Sequence, residues 1–162
     1  MKALTVISLV AAALVALTGP AAAQIQLVND ADREFVSKAA SGGTAEVELG
    51  RVATQRAVRP SVRSFAERMV ADHGRANAEL AALARRKGLD VLTALEPSQQ
   101  AMRDRLSGLS GPDFDRAYMS EMVRDHTEDI ALFERAAETS SDPDLKAWAA
   151  RSKSAKIGRA HV

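Results

Sequence analysis

One phrase is written twice in this chain, Met69-Val70-Ala71-Asp72-His73 and Met122-Val123-Arg124-Asp125-His126. An α-helix turns about 100° per residue, and at that step each histidine falls in the middle of the apolar stripe of its segment. Val62, Ala66, Met69, Val70, Ala76, Asn77, Leu80 and Ala84 lie within roughly 60° of His73. Met119, Met122, Val123, Ile130, Phe133 and Ala137 do the same around His126, with Asp129 at the edge of the stripe. A single inward histidine is usually a core residue held by a hydrogen bond, for His73 to Asn77 one turn on or to a partner carboxylate. Two in phase make two of the three histidines candidates for one shared interior site.

The punctuation of the chain divides it into helices. A first helix is expected from about Asp30 to Ala57, with Asn29-Asp30 as cap and Arg59-Pro60 as stop. Phe35, Ala39, Gly42, Leu49, Gly50, Ala53 and Ala57 lie within roughly 60° of Glu46, which puts that carboxylate at the centre of the inward face. The glycines of this segment disfavour helix unless a close neighbour compensates, so two readings stand side by side. In one, Glu46 is buried; in the other, Gly42-Gly43 breaks the helix and Glu46 is wet. A second helix takes Pro60 in its first turn and runs to about Lys87, with Gly88 following its end.

Residues 88–111 form a long connection with a short helix of its own, opened by Glu96-Pro97-Ser98 and carrying Met102, Leu106 and Leu109 on its apolar face. A third long helix is expected from Pro112 to about Thr139, with Asp115 complementing the dipole at its start and Tyr118, like Phe65, in the core. A fourth opens at Asp142-Pro143-Asp144 and shows Leu145, Trp148 and Ala149 on one face. Continued further, that face meets Ser152, Lys156 and Arg159, so its apolar stripe ends.

The expected fold is all-α: a four-helix bundle with a long connection carrying a short helix between its second and third long helices. Residues 1–23 read as an export signal, with Lys2 before an apolar run and Ala21-Ala22-Ala23 as the cleavage site. The run is short of the about 20 apolar residues a membrane span needs, so membrane contact is expected only through this segment if it is left in place. Without cysteine there is no lipoprotein anchor, disulfide or thiolate site. Setting Lys2 aside, the 22 basic residues fall to 21 and equal the 21 acidic ones. This balance, with four Phe, one Tyr and one Trp at helix-core spacing, gives no basic stripe with stacking aromatics and so no nucleic-acid partner.

Height along the helices matters as much as direction. Glu46 lies eleven residues before the end of the first helix and His73 thirteen after the start of the second, so across the Arg59-Pro60 turn their levels differ by only about 3 Å. His126 is near the middle of its own helix. Glu46, His73 and His126, with Asp129 nearby, are therefore candidate ligands for a divalent metal such as Fe, Mn or Zn, which accept imidazole and carboxylate donors. Neither histidine has the Glu-x-x-His spacing of di-iron bundles: Val70 and Val123 stand where those glutamates would be, which favours a mononuclear or purely structural site over an oxygen-activating enzyme.

Phe35-Val36, Glu46-Val47-Glu48-Leu49-Gly50, the run from Val62 through Phe65-Ala66, Met69-Val70 and Asp72-His73, then Phe114-Asp115, Tyr118 and His126 form a combined pattern. In it the chain resembles the bacterial exported proteins grouped as domain of unknown function 4142, in the ferritin-like superfamily. The resemblance spans about Phe35 to Arg151 and implies a ferritin-like bundle in the periplasm or outer envelope, without an established activity. It fails in residues 153–162, where Lys153-Ser154 replaces the family's Leu-Pro and a further histidine expected near Arg159 is missing. Lys156 to Val162 spells what an in-frame sequencing adapter would encode, so residues 153–162 are expected to be a non-native tail outside a domain of residues 24–152.

Overall fold

The computed structural model describes residues 28–91 and 93–157, of which 155–157 by backbone path alone. The segment read as an export signal, and the end of the tail with His161, lie outside the described residues. Five helices make up the described chain: α1 (Asp30–Arg56), α2 (Pro60–Arg86), α3 (Pro97–Ser107), α4 (Gly111–Thr139) and α5 (Pro143–Ile157). α5 thus continues through Ile157, past Ser152 where its apolar stripe ends, and Lys153 reaches Glu134 at 3.0 Å. Among the described residues no helix is long and apolar enough to cross a membrane.

The helix ends follow local chemistry. Asn29 caps α1 by accepting from the Asp32 amide at 2.8 Å. Pro60, Pro97 and Pro112 sit in the first turns of α2, α3 and α4, where a missing amide hydrogen costs nothing. Gly88 takes φ +67 after α2, and the bonds Leu89 N–H to Ala84 O and Gly88 N–H to Arg85 O close that end. Asp115 is a correction to the reading of the sequence. Although it lies near the start of α4, it is buried and accepts from the amides of Val58 and Arg59, at 3.1 and 2.9 Å. It therefore serves the N-terminus of α2, whose own cap residue Arg59 makes no side-chain cap bond.

α1 packs against α2, α4 and α3, and α5 closes on α4 and α2. Two apolar clusters form the core. One gathers the start of α1, the ends of α2 and α4, and Leu145, Trp148 and Ala149 of α5. The other gathers the end of α1, the starts of α2 and α4, and Leu106 of α3. α2 and α4 are therefore parallel to each other and antiparallel to α1; the short Arg59-Pro60 turn already implies the second relation for α2, while the direction of α4 was open in the sequence. Between the clusters, α1 contributes Glu46, α2 His73 and α4 His126, so a polar layer crosses the molecule at half height.

The first helix does not break at Gly42-Gly43. Two of its glycines lie against α2: a Cβ on Gly43 would lie 2.1 Å from Asn77 Oδ1, and one on Gly50 would lie 2.9 Å from Val70 Cγ2 and 3.3 Å from the Ala66 carbonyl oxygen, while Gly42 faces Asp129 of α4. The helix propensity lost at these positions is compensated by this close approach.

Candidate functional site

Three helices deliver one side chain each to the polar layer. Glu46, His73 and His126 are buried, at 1, 4 and 3% exposure, and each offers one ligand atom within 4.8 Å of the other two. His73 Nδ1 lies 2.5 Å from Glu46 Oε2. His126 Nε2 lies 3.2 Å from Glu46 Oε1, at an angle that does not make a hydrogen bond. The two imidazoles face each other nearly parallel, 5.8 Å between centroids and 14° between planes. One carboxylate thus contacts both rings at a buried position, where an unpaired charge would be costly. Gly43 and Gly50, on either side of Glu46, let α1 approach α2 closely enough for that geometry.

Asp129 is not part of this cluster. It is half-buried and belongs with Glu46 to the wall of a groove of about 750 Å³ between α1, α3 and α4. Glu121, Asp125 and Glu128 line the same groove, so this side of Glu46 is acidic. The Asp125 carboxyl is pushed up to about 6, first by burial and then by the charge of Glu121; Arg124 opposes this, while Glu46 and Asp129 add to it. On the other side, His73 borders a cavity of about 190 Å³ with Asn77, Trp148 and Arg151.

One placement differs from the helical wheel, and one buried residue lacks a partner. The wheel turns Val123 inward, yet it is 62% exposed. The buried stripe of α4 is centred not on His126 but roughly 60° away, toward Tyr118 and Met122, which leaves Val123 outside it. Tyr118 is buried as expected, stacked 6.1 Å from Phe114, but its hydroxyl has no hydrogen-bond partner. Burial first, and then the Glu46 carboxylate, raise its pKa. That influence of Glu46 was not visible in the sequence, where Tyr118 is simply one more aromatic on an apolar stripe.

Two imidazoles and one carboxylate between apolar layers make this a helical protein with a buried nitrogen and oxygen cluster that could hold a metal ion. The chain belongs to the family described as Domain of unknown function (DUF4142), whose model matches residues 17–156. Two solved structures are similar in fold. A DUF305 fragment from Deinococcus radiodurans is 17% identical, with a TM-score of 0.73 over 83% of this chain and 93% of that one. CopM in its Cu(I)-bound form is 18% identical, with a TM-score of 0.63 over 80% of this chain and 91% of that one. No curated protein matches the chain.

Proposed function

We propose that this is an exported envelope protein with a ferritin-like four-helix bundle, α3 being an addition, and that it binds a transition-metal cation at Glu46, His73 and His126. The observation that carries the reading is the mutual 4.8 Å spacing of three buried ligand atoms from three different helices. That spacing lets one ion reach all three, and the donors suit Fe, Mn, Zn and Cu. A bound cation would supply Lewis acidity or redox chemistry; the protein's own part is to fix the rings and exclude water. CopM, similar in fold, is a Cu(I)-bound structure, which adds copper to the ions worth testing. Asp129 stands apart, as a groove residue through which an ion could approach.

The test loads the purified protein, and a His73→Ala/His126→Ala variant, with each metal in turn, and measures what is retained after desalting. Retention of about one ion by the first and little by the second is expected. Equal, negligible metal in both would end the reading. The 2.5 Å contact of His73 with Glu46 favours one alternative, a hydrogen-bonded polar layer that holds the helices in register without any ion. In that case a chelator leaves the melting temperature of the isolated protein unchanged, and adding metal does not raise it.

A further inference from the structure

The sulfur this chain can offer a metal is thioether, because it has no cysteine. The chain has five methionines. Met1 lies outside the described residues, and the other four all belong to or pack against the apolar cluster on one side of the polar layer. Met69 and Met122 are fully buried, at 0 and 1% exposure. The repeated phrase places each of them four residues before a histidine of the cluster, Met69 before His73 and Met122 before His126. Residues four apart are neighbours on one helix face, so each imidazole has a buried methionine one turn before it on its own face. The other two are less suited. Met102 sulfur already accepts from Arg105 Nη2 at 2.8 Å, and Met119 is only half-buried.

Two independent features narrow the cation. Thioethers are soft donors that select Cu(I) over the harder divalent ions. Charge points the same way. With neutral imidazoles and thioethers, the one carboxylate within ligand reach matches a single positive charge, the acidic residues of the groove lying outside the cluster. Resting on the metal-binding reading above, we propose that the site is built for Cu(I), with Met69 and Met122 joining His73 and His126 as ligands and Glu46 neutralising the ion.

The experiment is an anaerobic titration of the metal-free, full-length protein with Cu(I) against the chromophoric chelator bicinchoninate, with a parallel Zn(II) titration. The variants are Met69→Leu/Met122→Leu and His73→Ala/His126→Ala. Leucine conserves the volume that a purely packing methionine would fill, and circular dichroism checks that the variant is folded. The expected result is one Cu(I) per chain, weakened at least about tenfold by the leucine pair, with Zn(II) affinity changed less than about twofold. Copper–sulfur scattering in X-ray absorption should be present in the native protein and absent from the leucine variant. An unchanged Cu(I) affinity in the leucine variant overturns the soft site, and leaves the histidine cluster standing if the alanine pair still loses metal. If the native protein binds no Cu(I), this proposal falls, and the metal-binding reading falls with it only if Fe, Mn and Zn are not retained either.

Discussion

Three glycine-to-alanine substitutions test the helix contact on which the site depends. Gly74, within α2, has nothing within 4 Å of an added Cβ, so alanine there should gain only the helix propensity, about 1 kcal/mol of stability. Gly50 offers the same gain, but its Cβ would press to 2.9 Å from Val70 Cγ2 and 3.3 Å from the Ala66 carbonyl oxygen. Neither neighbour yields easily. Valine in a helix has essentially one rotamer, and a backbone carbonyl moves only with its helix. Overpacking of this kind costs about 1–3 kcal/mol, so Gly50→Ala should be destabilising by about 1 kcal/mol net. Gly43→Ala should fall between the two. Its closest contact, 2.1 Å, is to the tip of the Asn77 side chain, which is half-buried and can rotate away. The assay is urea unfolding of the three variants, with stabilities compared at unchanged slope. The order Gly74, Gly43, Gly50 from most to least stable is expected, with about 2 kcal/mol between the extremes. If Gly50→Ala stabilised as much as Gly74→Ala, α1 and α2 would not be in close contact, and the approach of Glu46 to His73 would lose its structural basis.

Other consequences can be checked in the same way. Asp115→Ala removes the acceptor of two backbone amides at the α1–α2 turn and should cost about 3 kcal/mol in urea unfolding; a cost under about 0.5 kcal/mol would mean water replaces it freely. Tyr118→Phe deletes a buried hydroxyl without a partner and should be neutral or stabilising by about 1 kcal/mol, so a clear loss of stability would reveal a hidden acceptor. Burial pushes Asp142 up, but its bonds to Lys87 and to the amides of Leu145 and Asp144 outweigh this and hold its carboxyl below the usual range. A depressed folded pKa gives stability that is present above the unfolded value, about 3.9, and is lost as pH falls through the folded one. The stability gap between native protein and Asp142→Asn should therefore narrow as pH drops from 5 to 2, and a gap constant over that range would refute the assignment.

Much of the fold was legible because its signals are local. Prolines in first turns, Gly88 after α2 and the periodic apolar stripes act over four or five residues, and they placed α1 to α4 within a few residues of their observed ends. The candidate cluster was legible for a related reason. Helical rise and twist are regular enough that Glu46, His73 and His126 could be assigned the same inward direction and the same height from the positions of Pro60 and the helix ends alone. What was not legible depends on which surfaces meet. Whether Glu46 was buried or wet could not be decided while the Gly42-Gly43 pair had no visible neighbour, and the answer lay in α4 for Gly42 and α2 for Gly43.

The sequence by itself therefore determined an all-helical chain, the two inward histidines and the methionine one turn before each. Tertiary structure alone decided the rest. It set α4 parallel to α2, with its stripe turned so that Val123 faces out and Asp129 lines a groove. It also sent Asp115 across to cap another helix. The physical reason is that a helix dictates the relative directions of its own side chains, while its rotation about its axis and the identity of its neighbours are fixed by the packing of the whole core.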